Sequence, residues 1–362
     1  MRIAADISQI VYEGTGSARY ELELLKAVDH ENTQKDIWTF FLSSFRREIP
    51  RKVQTLLDKH DTKQLPLPPT LIHTLWNEIH TFPLDLFIGK QDWIITSDWA
   101  QPPTTTSRTA TIVHDLAFVR YPEVVPPKLR KSQMRRLEWA KKEAKTVLAL
   151  SKTTRQDLLN LLHFPAEKVK TLYPAVDIQQ PTEEQKKITQ QKFKLSFPFI
   201  LSVGKIEPRK NLKRLIEAYS QLQTETHLVI VGPPGWEELR GDHPNVHFTG
   251  FVSDEELYSL YSLSTCFIMP SLWEGFGFPL VEAMKLGTPT LTSNVSSLKE
   301  LGENTSLLFD PLEVHSIRNA LDQVLSSEEL RTKLIAAGKQ KSRLFSLQNY
   351  YNNLTEILRE NM

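Results

Sequence analysis

The chain holds a single cysteine, Cys266, in 362 residues. One thiol allows neither an internal disulfide nor a cysteine-based metal cluster, which fits a reducing compartment. No Asp-x-Asp occurs, and the ten histidines show no ligand spacing, so no metal and no cofactor are expected. No GxxxxGK[ST] motif is present, which argues against a P-loop NTPase. No run approaches the roughly 18 apolar residues that a membrane span needs, so any membrane contact is expected to be peripheral. The opening MRIAADISQI lacks a long apolar core and reads as a first strand rather than a signal peptide. Net charge is only +1, which gives no argument for nucleic acid. A cytoplasmic protein is expected.

What is present suits two soluble domains. Hydrophobic residues make up 40% and charged residues 24%, as in ordinary globular chains, and the length exceeds one common core. Charge is unevenly spread. Residues 1–171 hold 25 Lys or Arg against 20 Asp or Glu, a net +5, while the remainder holds 19 against 23, a net −4. The first half could therefore face an anionic partner.

Short apolar runs alternate with helical patterns along both halves. In the first half, Ile3–Ile7 reads as a strand, followed by a turn with Gly14 and Gly16 and a helix from about Ser17. Further strands are expected at 38–42, 93–96, 110–113, 146–150 and 169–172, with 64–70 proline-rich and loop-like. Residues 179–194 are polar and mark a boundary. A second alternation starts at Phe199, with strands at 199–203, 227–231, 246–248, 266–269 and 289–292. Two successive βα halves predict an α/β chain of two doubly wound, Rossmann-like domains. The domains are expected at 1–180 and 181–345, with 346–362 a last helix.

Residues 266–291, CFIMPSLWEGFGFPLVEAMKLGTPTL, are the most informative stretch. A buried strand leads through Gly275 and Gly277 to a helix that Pro279 should open and Gly287 should close. Strand, glycine loop and helix N-terminus form an anion site. Glu274 and Glu282 flank it. A carboxylate accepts two hydroxyl hydrogen bonds, so the expected ligand is both anionic and rich in hydroxyls. Favourable charge near a helix start, or plain loop exposure, are the alternatives for the pair.

The strand 199–203 runs into GKIEPRKN, where Gly204 lets a ligand approach the backbone. Arg209 and Lys210 can hold phosphate oxygens; a solvated basic cap is the alternative. His114 and Asp115 follow the strand 110–113, where a purely structural role also remains open. The helix 127–145 places Leu129, Gln133, Leu137, Ala140 and Ala144 on one face and eight Lys or Arg elsewhere, against two Glu. With the Phe45–Lys52 run it could touch anionic lipid, although packing alone also explains the pattern.

GKIEPRKNLKRLIEAY with EGFGFPLVE resembles the retaining GT-B glycosyltransferases of family 4 (group 1). GTGSARY, VHDLAFVRYPE, ALSKTTRQDL, YPAVD, LVIVGPPG and VHFTGFVSDEELYSLY match in order, so the resemblance covers nearly the whole chain. HTLWNEIHTFP and VHDLAF look most like bacterial mannosyltransferases of surface-polysaccharide synthesis. Ala18 departs from the second glycine that many relatives carry before Arg-Tyr.

The resemblance implies GT-B architecture, two Rossmann-like domains facing a cleft, with the last helix crossing back to the first domain. It implies metal-independent transfer of a hexose from a nucleotide-diphosphate sugar, GDP-mannose by first choice, to a glycan or lipid-linked acceptor. Arg209 and Lys210 would hold the diphosphate, Glu282 the ribose, and Glu274 the transferred sugar. The backbone of Phe276, Gly277 and Phe278, with Gly204, would approach sugar and phosphate, and Val252 would meet the base. Gly16 would lie near the phosphates or acceptor, and His114 beside the sugar. A GT-B-like epimerase or phosphorylase, or a non-catalytic sugar-nucleotide binder, would share these features.

Overall fold

Strands buried on both faces need continuous apolar runs, and such runs build two parallel sheets here. The computed structural model describes residues 1–362 except 44–46, 98, 236, 238 and 240–242, and the Val124 side chain. Phe45 and Arg46 of the basic run, and Trp236 of the GPPGW loop, lie outside the described residues. The chain divides into two compact units, Met1–Asp177 with Phe345–Met362, and Ile178–Leu344.

The first unit holds β1 (Arg2–Asp6), β2 (Ile37–Leu42), β3 (Asp61–Gln64), β4 (Trp93–Thr96), β5 (Arg108–Val113), β6 (Thr146–Ala149) and β7 (Val169–Thr171). All pair in parallel, in the order β3-β2-β1-β4-β5-β6-β7. The order reverses between β1 and β4. One core cluster lies under Val113, Phe118, Leu137 and Val147, and another under Phe41, Ile72, Trp76 and Ile94. The final helix, Leu347–Glu360, packs in this unit against the Gly16–Glu31 helix. Ser346 caps its start, Tyr351 donates to Asn32 at 2.8 Å, and Arg359 pairs with Asp36 at 2.9 Å.

The second unit holds β8 (Phe199–Val203), β9 (His227–Val231), β10 (Val246–Gly250), β11 (Cys266–Met269), β12 (Thr290–Ser293) and β13 (Leu307–Phe309). Their order is β10-β9-β8-β11-β12-β13, again parallel, with the reversal between β8 and β11. Ile200, Leu215, Leu228, Ile268 and Leu321 share its core. Capping boxes at Thr182/Gln185 and Ser253/Glu256 fix two helix starts.

Several local expectations are corrected. The stretch 64–70 is not all loop: it carries the end of β3 and the start of a helix, Pro69–His73, which continues as a π-helical turn, Thr74–Ile79. Gly16 is the first residue of its helix rather than part of the turn, because Thr15 takes the N-cap and accepts from Ala18 N. Pro279 is the second helical residue, since Gly277 caps the Phe278–Leu286 helix. The basic helix ends at Glu143. Leu137, Ala140 and Ala144 of the expected face are buried, but Leu129 is exposed and Arg136 is buried beside them. Arg136 donates to the Ser97 and Ile112 carbonyls at 3.4 and 3.3 Å.

Candidate functional site

Open parallel sheets bind ligands beyond the carboxyl ends of their strands, where the strand order reverses. In the second unit that point lies between β8 and β11. The Gly204–Asn211 segment follows β8 and the 270–278 loop follows β11, so adjacent strands deliver both sequence-predicted segments to one end of one sheet.

Arg209 and Lys210 belong to a 3-10 turn, Pro208–Lys210, that ends at Asn211 in a left-handed conformation. The Asn211 amide donates to the Pro270 and Pro311 carbonyls at 3.1 and 2.7 Å. Leu272 N donates to the Arg209 carbonyl at 2.8 Å. These bonds tie the two loops together. Lys210 lies against Gly204, where a Cβ would meet the lysine Cε at 3.0 Å. The glycine is thus explained by a lysine stem before any ligand is considered.

The two cations converge on Glu274. Lys210 Nζ lies 2.6 Å from Glu274 Oε1, and Arg209 Nη1 lies 2.9 Å from Oε2. Arg209 also reaches Glu207 and the Trp273 carbonyl, both at 2.7 Å. Burial would raise the Glu274 pKa, but the charges of Arg209 and Lys210 together outweigh it and hold the carboxyl at about 2. The four side chains carry two positive and two negative formal charges. A diphosphate that takes Arg209 and Lys210 must therefore share them with Glu274 or displace it. Sequence reading placed cations and carboxylate in one site without revealing that they pair.

Glu282 lies in the second turn of the Phe278–Leu286 helix and is buried. Tyr261 OH donates to its Oε2 at 3.1 Å, which fixes the carboxylate. Gly277 has φ +109, and a Cβ there would sit 2.9 Å from Leu298 Cδ2, so the helix start tolerates no side chain at this point. Ser297 Oγ donates to the Glu274 and Phe276 carbonyls at 2.9 and 2.7 Å, bracing the glycine loop. Phe276 and Phe278 are buried and meet edge to face at 5.2 Å. Val252, also buried, follows the carboxyl end of β10.

In the first unit, His114 follows β5 and is half-buried. Its ring meets Tyr20 edge to face at 5.2 Å, and its carbonyl accepts from Thr154 Oγ1 at 3.2 Å. Asp115 accepts from Ala117 N at 2.8 Å, the turn-capping role. Gly16 is exposed, with open space where a Cβ would project.

Sequence reading missed several polar groups. Asp6, at the end of β1, is buried and accepts from Ser8, Ser97 and Trp99. Burial raises its pKa against the opposing effect of those donors. Tyr20 and Tyr350 share a hydrogen bond of 2.6 Å between hydroxyls 330 positions apart. No periodicity could have linked them. His227 and His247, at the amino ends of β9 and β10, pair at 2.8 Å beside Phe197, on the sheet end opposite the site.

Two family models cover most of the chain. Residues 14–180 match Glycosyltransferase Family 4, and residues 183–341 match Glycosyl transferases group 1. The chain belongs to the family 4 (group 1) glycosyltransferases.

This glycosyltransferase is 29% identical to O-antigen chain mannosyltransferase B of Escherichia coli over 96% of its own length and 97% of that protein's. It is 32% identical to the serotype-specific mannosyltransferase WbdA of Escherichia coli over 67% of its length, spanning 32% of that longer protein. Among solved structures, the sucrose-phosphate synthase of Thermosynechococcus elongatus superposes with a TM-score of 0.78 at 19% identity, covering 99% and 98% of the two chains. The glycosyltransferase therefore has the GT-B fold.

Proposed function

We propose that this glycosyltransferase moves mannose from GDP-mannose, with retention, to a hydroxyl of a glycan or lipid-linked acceptor. The observation that carries the reading is the Arg209–Lys210–Glu274 cluster at the β8/β11 reversal, beside the buried Glu282. It combines cations for a diphosphate with carboxylates for hydroxyl groups. The names of the relatives, both mannosyltransferases and one of them an O-antigen chain enzyme, support mannose and a polysaccharide acceptor.

In this reading Glu282, held by Tyr261, accepts the ribose hydroxyls, and Glu274 accepts hydroxyls of the sugar. The Gly277 backbone approaches the phosphates and Val252 meets the base. His114 and Gly16 of the first unit serve as sugar and phosphate or acceptor contacts. The bond from sugar C1 to the diphosphate oxygen breaks, and its electron pair leaves with the diphosphate. Arg209 and Lys210 stabilise that charge, and stabilisation of developing charge by fixed groups is usually what accelerates such a reaction most. The acceptor oxygen then bonds to C1 on the same face, and its proton passes to the departing phosphate oxygen. The two protein cations take the place of a metal at the diphosphate. No helix among the described residues is long and apolar enough to cross a membrane, and attachment in this reading is peripheral, on the cytoplasmic face.

The test is incubation with GDP-mannose and a mannose-ended oligosaccharide, with and without EDTA. The expected product carries a new α-linked mannose, and GDP release depends on acceptor but not on EDTA. A β-linked product, or loss of activity in EDTA, overturns the corresponding part of the reading. Free mannose or mannose phosphate without acceptor would indicate the epimerase or phosphorylase class. Donor binding without turnover on any acceptor would indicate a binding protein.

A further inference from the structure

We propose that Tyr350, from the last helix, is a positioning residue for His114 and acts through Tyr20. The proposal rests on the reading in which His114 contacts the transferred sugar. It gives the last helix a part in the reaction beyond holding the first unit together.

His114 stands just past β5, and its backbone is fixed. Its carbonyl accepts from Thr154 Oγ1 at 3.2 Å, and Leu150 N donates to the preceding Val113 carbonyl at 3.3 Å. The imidazole is not held in that way. Among the described residues no hydrogen bond or ion pair reaches either ring nitrogen, so both are open to a ligand. The ring instead meets Tyr20 edge to face, with centroids 5.2 Å apart and planes at 73°. An edge-to-face contact depends on the tilt of both rings. Whatever sets the Tyr20 ring therefore sets the imidazole.

Tyr350 sets the Tyr20 ring. Their hydroxyls share a bond of 2.6 Å, and the rings meet edge to face at 5.9 Å. Both side chains are buried. A buried phenol needs a hydrogen-bond partner, and these two supply one another. Burial pushes both phenols above their ordinary pKa, so both stay uncharged at neutral pH and the pair hands no charge to His114. What it supplies is a fixed surface.

The far end of this brace is anchored as well. Tyr350 lies in the first turn of the Leu347–Glu360 helix, whose cap Ser346 accepts from Asn349 N at 3.1 Å. The chain re-enters the first unit at Phe345. The Phe345 carbonyl accepts from Val176 N at 2.9 Å, and its ring meets Tyr173 edge to face at 5.8 Å. Re-entry point, helix cap, Tyr350, Tyr20 and His114 thus form one series of contacts. The neighbouring Tyr351 belongs to another: it donates to Asn32 at 2.8 Å, and its ring lies 6.3 Å from Trp38.

The experiment compares Tyr350→Phe, Tyr351→Phe and Tyr20→Phe in the full chain. The His114 ring resonance, identified by its absence from His114→Ala, is followed by NMR without donor or acceptor. GDP-mannose transfer is measured separately, with calorimetry on GDP counting the folded enzyme. Tyr350→Phe is expected to shift the His114 resonance and lower kcat about tenfold or more, with GDP affinity unchanged. Tyr20→Phe removes the same bond from its other side and should do the same. Tyr351→Phe also loses a buried phenol bond, yet should leave resonance and kcat as they were. In a His114→Ala background, Tyr350→Phe should lower kcat no further, because residues acting through one another are not additive. An unmoved resonance in Tyr350→Phe overturns the proposal. So does an undiminished loss of kcat in the His114→Ala background. Equal effects from Tyr351→Phe would make the role purely structural and also overturn it. Full transfer by His114→Ala, or no transfer from GDP-mannose by the unaltered chain, contradicts the reading of the site instead, and the resonance then decides whether the tyrosine pair sets the ring.

Discussion

Lys210 Nζ lies 2.6 Å from the Glu274 carboxylate, which Arg209 also reaches at 2.9 Å. The cations proposed to bind a diphosphate are therefore both paired with the carboxylate proposed to bind the sugar. Glu274→Gln removes the negative charge that an incoming diphosphate must share. Affinity for GDP is expected to rise about tenfold or less, while sugar transfer falls about a hundredfold. Calorimetry with GDP and a transfer assay check this. Weaker GDP binding would show that Glu274 organises the cations rather than competes for them.

The same pair sets an acid limb of stability. The Glu274 carboxyl is held at about 2 in the fold, below its ordinary range, so the native state binds fewer protons than the unfolded state between them. Its contribution is present above the unfolded value, about 4.5, and is lost as pH falls towards 2. Denaturant unfolding from pH 6 to pH 2.5 should show a smaller acid loss in Glu274→Gln than in the unaltered protein. Equal slopes would refute the assignment.

Glu282 is buried and held by Tyr261 OH at 3.1 Å. Glu282→Ala should weaken nucleotide-sugar binding by about 2 kcal/mol, and Tyr261→Phe by about half of that, since the phenol only orients the carboxylate. Titration with GDP-mannose separates the two. Unchanged affinity in Glu282→Ala would sink the ribose role.

The Tyr20–Tyr350 hydrogen bond joins the first helix to the last, and both side chains are buried. Tyr350→Phe leaves the Tyr20 hydroxyl buried without that partner and should cost about 1–3 kcal/mol in urea unfolding. The double replacement by phenylalanine should be less costly than the two single losses added together. Strict additivity would mean the hydroxyls do not interact.

The parallel strands were legible because burial on both faces writes continuous apolar runs such as Cys266–Met269 and His227–Val231. The donor loop was legible because glycines, Pro279 and Gly287 punctuate it. β3 and β13 were not: β3 is a polar edge strand, Asp61–Gln64, with no apolar run to announce it, and β13, Leu307–Phe309, is a three-residue edge strand too short to stand out. Arg136 was misplaced because a cation on a basic helix reads as solvated, yet it is buried and bonded to backbone carbonyls. Residue types at the site were readable, but the pairing of Lys210 with Glu274, 64 positions on, depends on which strands are neighbours. Sequence order does not display that.

The most direct measurement is thermal shift of the unaltered protein and of Arg209→Ala with Lys210→Ala against GDP-, UDP-, ADP- and dTDP-sugars. A ligand that binds only the folded state raises the melting temperature by mass action. The account predicts stabilisation of the unaltered protein by GDP-mannose above the other sugars, and loss of that stabilisation in the double variant. Stabilisation by none of the four, or equal stabilisation of the double variant, would contradict it.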